Sequence, residues 1–539
     1  MAASKDPFEA LWANPTSRRS FLRAAGIGAG TLALGSLLSG CDADSAGDAA
    51  GAEGASPSTL SLAMASSFTD LDPTTTLSTS VSVISGLVYE GLYRLDPLPP
   101  RADVLPELAV ELPREIDPTT YRINLRPDVV FHDSTPFTPA DLVFTFTRIR
   151  DPEVASPFAR FLEVVNDIVE LGPTEVEVTL QAPCNLLAER LMLIRVISAA
   201  AVTASPRALT LEPVGTGPYR VVSAIQEERV SLERFEKYSG DRELSYQNID
   251  IDIVKDANAR IAGLRTGQFK MIEDLPASAV EGLDRETGVQ TEAIPSYLFT
   301  FMLFNCGRAP FDDARVRQAA LYAIDRDTIT ETSFFGHALP AWGSVLSPEH
   351  PEYVEAETVF SYDPDRAREL LAEAGYGSTP VPIDVLVGDL EYVVSQAPVI
   401  EENLRTAGFE PNIIPSGAGH VTTVTEGNFD MWVAFSDPSV FASDAEFILR
   451  WGYTGVTPAQ FYYWQTDATV QVQQLLDEAL RSADKSTRSD RLAQVQNILQ
   501  NEAPYMPLHF KAQITAWSDQ LQGVNALPTV GFDLDGVHG

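Results

Sequence analysis

The sequence predicts a mixed α/β protein in which strands and helices alternate along the chain. Three observations carry this: apolar residues recurring with period two, other segments with apolar residues at helical spacing, and a globular composition of 45% hydrophobic and 21% charged residues over 539 positions. The elements follow in order. Tyr121, Ile123 and Leu125 alternate with Arg122, Asn124 and Arg126, as in a half-buried strand. Val176, Val178 and Leu180 alternate with Glu175, Glu177 and Thr179, and Ile249, Ile251 and Ile253 with Asp250 and Asp252. The run from Tyr297 to Phe304 is apolar and aromatic enough for a buried strand. Val316, Ala319, Ala320, Ala323 and Ile324 share one helical face, behind the candidate caps Asp312 and Asp313. Asp363-Pro364 opens a second helix, with Ala367, Leu370, Leu371 and Ala374 as its stripe and Gly375 as its stop. Leu475, Leu476, Ala479 and Leu480 mark a third, and Leu492, Val495 and Leu499 a fourth. No period of 20–50 residues recurs, which argues against a solenoid or propeller.

The 75 acidic and 38 basic residues leave a net charge of −37. A nucleic-acid partner is excluded on that balance, because phosphate contacts need basic patches. The length allows about three or four domain-sized units. The single long uncharged stretch is N-terminal, which excludes a polytopic membrane protein.

That stretch reads as an address. Arg18-Arg19 precedes an uncharged, Gly- and Ala-rich run from Ala24 to Gly40, too weakly apolar to span a bilayer. The paired arginines resemble a Tat export signal, and Leu38-Ser39-Gly40-Cys41 resembles a bacterial lipobox. The resemblance implies lipidation of Cys41 as the first mature residue and residence outside the plasma membrane or in the periplasm. Residues 1–41 are then the signal and 42–58 a flexible tether of Ala, Gly, Ser and Asp. Gly26, Gly28 and Gly30 imitate a dinucleotide-binding turn, but no strand precedes them. Cys184 and Cys306 are expected as free buried thiols.

Ordered landmarks then carry a wider resemblance. Tyr89-Glu90-Gly91-Leu92-Tyr93 is followed by Pro106-Glu107-Leu108-Ala109, by Leu125-Arg126-Pro127-Asp128, and by Phe131-His132-Asp133. Pro213-Val214-Gly215-Thr216-Gly217-Pro218-Tyr219 is the most distinctive loop. Phe304-Asn305, Pro310-Phe311-Asp312-Asp313-Ala314-Arg315-Val316-Arg317 and Ala503-Pro504-Tyr505-Met506-Pro507-Leu508 complete the series. The chain resembles the large extracytoplasmic solute-binding proteins of peptide and nickel ABC importers, the family 5 type, from about Leu60 to His509. The resemblance implies a two-lobed periplasmic-binding-protein-like fold (type II, of the large cluster C kind). Lobe one would be 59–304 plus 509–539, with an extra subdomain at 91–214, and lobe two 305–508. Two crossover strands would form the hinge. In the Gly215-Thr216-Gly217-Pro218 turn the glycines would permit positive φ, and no phosphate cradle is read there. His132 is read as structural, since no second His or Cys stands near it at metal spacing.

A binding protein of this kind implies a solute or peptide ligand, a permease and an ATPase as partners, and a membrane reached through Cys41; a monomer is expected. No cofactor, metal or catalytic residue is expected: the chain has no Gly-x-Ser-x-Gly elbow, His-Glu-x-x-His helix or Cys-x-x-Cys pair. An exported hydrolase and a ligand-presenting sensor are the alternatives. The expected ligand side chains are Ser66 and Phe68, with Asp70 nearby, after the first strand. Tyr297, Phe299 and Asn305, with Phe301, lie along or just beyond the first crossover. Trp342, Trp432, Phe435, Asp437, Ser439 and Phe441 come from lobe two. Ser439 aligns with the Asp by which the family's peptide binders hold an α-ammonium, and Asp437, two positions earlier, is the proposed substitute.

Overall fold

The computed structural model describes residues 59–539 apart from Thr69, Leu77, 96–103, Pro206, Ala356, 418–419, 439–443 and Ala483. The signal, Cys41, the tether, Ser439 and Phe441 therefore lie outside the described residues. In chain order the strands are β1 (Thr59–Met64), then β2 (Tyr93–Leu95), β3 (Val104–Pro106), β4 (Arg114–Asp117), β5 (Thr120–Asn124), β6 (Val165–Gly172) and β7 (Glu175–Leu180). After them come β8 (Tyr219–Ile225), β9 (Arg229–Arg234), β10 (Asn248–Ile253), β11 (Met271–Ile272) and β12 (Val289–Phe304). The last are β13 (Ala338–Pro340), β14 (Val381–Val387), β15 (Phe409–Pro415), β16 (Met431–Ser436) and β17 (Tyr505–Ser518).

One sheet runs through both lobes, in the order β15-β14-β16-β12-β17-β11-β1-β10-β9-β8, with β13 paired to β17. Its two long central strands, β12 and β17, are antiparallel neighbours from Val289 opposite Ser518 to Leu303 opposite Tyr505. Cores form on either side of them. Leu60, Leu62, Ile249, Ile251 and Trp517 pack in lobe one. Val316, Ala320, Ile383 and Met431 pack in one lobe-two cluster, and Leu449, Trp464, Leu476 and Val495 in another. The sheet β4-β5-β7-β6 builds the subdomain, whose core holds Ile123, Val176, Val178 and Leu180. Among the described residues, no helix is long and apolar enough to cross a membrane.

The local signals work as the chemistry requires. Asp313 accepts the Arg315 N–H at 2.8 Å and starts the helix Ala314–Tyr322. Asp363 accepts the Arg366 N–H ahead of Pro364–Glu373, and Gly375 takes φ +94° just beyond its end. Cys184 and Cys306 are free thiols, and burial pushes Cys306 up to about 12.

One expectation needs correction. The glycines of the Gly215-Thr216-Gly217 turn do not adopt positive φ; they let two backbones touch. A Cβ on Gly215 would lie 2.0 Å from the Val88 carbonyl oxygen, and one on Gly217 2.6 Å from the Val88 carbonyl carbon. The Gly217 N–H donates to that same oxygen at 2.9 Å. Within β12 the pairing changes before Phe304. Pairing slips between Pro295, opposite Ala512, and Phe299, opposite Phe510, so Ser296–Leu298 bulge against Lys511. From Phe299 onward β12 already pairs with β16 of lobe two.

Candidate functional site

β1, β10 and β11 are parallel, so the segments leaving β1 and β11 converge at one edge of lobe one. That is where open α/β sheets hold ligands. Ala65-Ser66 and Glu273-Asp274 are those segments. The β12 bulge and Lys511 of β17 form the floor. From lobe two come the end of β16 and Tyr392, on the short helix Glu391–Val394.

Lys511 is the pivot of this cluster. Its Nζ lies 2.8 Å from Asp274 Oδ1 and 5.0 Å from the centre of the Tyr392 ring. Its carbonyl accepts the Ser296 hydroxyl at 2.6 Å, which ties it to the bulge. Asp274 sits at φ +50°, with its carbonyl held by Arg260 at 2.7 Å. Burial alone would raise the Asp274 carboxyl, but Lys511, and then Arg260, outweigh it and hold the group below its ordinary range. Glu273 next to it is pushed up to about 7 by burial and by Asp274, although it accepts the Ala65 and Gly531 N–H groups. Tyr392 meets Phe435 edge to face at 6.0 Å. Burial first, then Asp274 and Asp437, raise the Tyr392 hydroxyl far above its usual value. Two carboxylates thus act on one buried phenol, and Lys511 and Arg260 both act on the first of them.

The sequence-expected residues divide. Phe435 is 42% exposed, and Asp437 follows directly after β16; both reach this cluster through Tyr392. Ser66 is half-buried at the end of β1, and Tyr297 half-buried on the bulge, its hydroxyl raised by burial. Trp342 is half-buried in lobe two, 5.1 Å from the buried Arg326 guanidinium. Trp432 stands edge to face with Phe301 at 5.4 Å. Three of the expected residues are buried among other partners. Phe68 is 2% exposed and packs in the lobe-one core. Phe299 points into lobe two, against Phe510 and Tyr505, because β12 is sandwiched between β16 and β17 there. Asn305 spends its amide on the Gly427 and Phe429 carbonyls and its Oδ1 on the Gly307 N–H, which makes it a loop tie. Sequence reasoning missed Tyr392, Asp274 and Lys511. Lys511 did carry a signal: a lysine inside an otherwise buried strand requires a counter-charge.

The family profile for bacterial extracellular solute-binding proteins, family 5 Middle, matches residues 103–458. The glutathione-binding protein GsiB of Escherichia coli (strain K12) is 27% identical over 492 residues, covering 88% of this chain and 93% of its own. Among solved structures, the PBP AgaA of A. tumefaciens R10 with agropinic acid superposes at TM-score 0.78, with 23% identity, 89% of this chain and 98% of its own. The dipeptide-binding protein of Pseudoalteromonas sp. SM9913 with Met-Leu gives 0.77, with 21% identity, 89% and 99%. NikZ of Campylobacter jejuni with Ni(L-His) gives 0.77, with 20% identity, 89% and 98%. These three superpose over 89% of this chain and share its two-lobed fold. The chain belongs to the family 5 bacterial extracellular solute-binding proteins.

Proposed function

We propose that this protein is the substrate-binding component of an ABC importer, and that it captures a small amine-bearing solute, a short peptide or a glutathione-like compound. The observation that carries the reading is the family 5 profile match over residues 103–458, with the Asp437 carboxylate acting on Tyr392 beside Lys511 and Asp274. Peptides and glutathione bear an α-ammonium that such a carboxylate would take. A charge-assisted hydrogen bond in a dry cleft contributes about 1.5–3 kcal/mol. Mass spectrometry of solute co-purifying with the protein identifies the ligand. Calorimetry with that ligand should then show Asp437→Asn binding roughly 10- to 100-fold more weakly, at about 1.4 kcal/mol per decade. Unchanged affinity would leave Asp437 as the residue that turns the chain into Pro438.

The export reading is part of the same proposal. Arg18-Arg19 would direct the folded chain through the Tat route, and acyl chains on Cys41 would anchor it outside the membrane. Cys41→Ala should release the protein from the membrane fraction, and a processed variant that stays bound would refute the anchor.

A further inference from the structure

Outside the cleft, the subdomain and lobe two meet in a second, fully built contact. Arg190, on the subdomain helix Leu187–Met192, is 2% exposed. Its Nη2 donates to Glu446 Oε2 at 3.1 Å, and its Nη1 to the Phe161 carbonyl at 2.9 Å. Glu446 is completely buried and belongs to the opposing helix Ala445–Tyr453, where it is also paired with Arg450 of its own helix; Phe447, the next residue, lies 4.5 Å under the Arg190 guanidinium. Phe447 packs within the hydrophobic core of the subdomain, 5.6 Å from Phe161, although its own backbone belongs to lobe two. Arg160 completes the contact: its Nη2 donates to the Arg450 and Thr454 carbonyls, each at 2.8 Å, at the C-terminal end of that helix.

We propose that this contact is a ligand-independent latch that sets how much of the empty protein is already closed. A core residue supplied by the other lobe and a buried charge paired across the gap are both lost when the lobes part. A binding-competent fraction f scales the apparent dissociation constant as 1/f, so the latch tunes affinity for any solute without touching it. Arg190, Arg160, Glu446 and Phe447 are thus positioning residues. The inference rests on the reading of two lobes that close over a solute.

The test is small-angle scattering of the extensively dialysed, ligand-free chain, with melting followed by circular dichroism. Glu446→Gln keeps the shape and removes the charge; Phe447→Ala empties the inserted position. Each should lower the closed-to-open ratio roughly 10- to 100-fold and enlarge the radius of gyration while melting stays cooperative. If Phe447→Ala fails to fold, Glu446→Gln and Arg160→Gln decide the matter. Arg265→Gln, at an exposed ion pair with Glu286 within lobe one, should leave the ligand-free profile unchanged. Latch variants with the wild-type radius would overturn the proposal, as would equal opening by Arg265→Gln. Failure of the importer reading, in which no solute binds, leaves these ligand-free profiles as they are, so the two outcomes are separable.

Discussion

His132 shows how much a single ring is asked to do. Its Nε2–H donates to the Gly217 carbonyl at 2.9 Å, while Nδ1 accepts the Gly215 N–H at 3.3 Å, so the neutral tautomer is specified on both sides. Phe235 covers it edge to face at 4.9 Å. Burial, the largest influence, depresses it from 6.5 to about 4. The folded state therefore resists a proton that the unfolded chain accepts below pH 6.5. The stability linked to this ring is full above that value and is lost as the pH falls toward 4, by up to about 3 kcal/mol. The buried His509, depressed to about 3 and bonded to the Arg326 carbonyl, adds a second fall in the same direction. Urea unfolding of His132→Gln should show a shallower loss between pH 6.5 and 4 than the wild type; parallel curves would remove His132 from the account. The sequence showed His132 to be structural through the absence of metal partners. It could not show the tautomer, which depends on a loop more than 80 residues away in the chain.

At the scale of elements, the turn that holds His132 is also where lobe one receives the chain back from the subdomain. Two glycines there press on the carbonyl of Val88, the last residue of the helix Thr79–Val88. Backbone on both sides leaves nothing flexible to yield. Gly215→Ala should cost about 1–3 kcal/mol, as overpacking does, and a calorimetric melt at neutral pH measures it. An unchanged melting temperature would mean that the helix end moves freely. Elements of this kind were legible because their signals are local. The alternation at Val176–Leu180, the stripe at Val316–Ile324 and the cap at Asp363 each depend on neighbours within a few positions. The cleft was legible only in part. Phe435 and Asp437 lie beside a recognisable strand. Tyr392 sits on a single turn of helix, Asp274 in a left-handed bend, and Lys511 in the last strand. Three segments distant in sequence meet there, and no periodicity in any one of them announces the others. Phe68 and Phe299 pack in cores, where an aromatic is as readily placed as beside a ligand.

At the scale of the molecule, two lobes share one sheet, and their closing is the expected response to solute. Scattering profiles with and without the co-purified ligand should show a smaller radius of gyration when bound, and identical profiles at saturation would refute hinge closure. The crossover makes a specific demand on that motion. β12 and β17 lie side by side, about 4.8 Å apart and hydrogen-bonded to each other, with a bulge at Ser296–Leu298. Such a ribbon behaves like a leaf spring. It flexes easily out of its own plane, while sliding or splaying within the plane would break the ladder that holds it. Closing is thereby reduced to one degree of freedom, a jaw turning on a fixed pin. Every excursion would bring Tyr392 down over the same lysine, so that alignment of the two walls would be settled before any solute arrives.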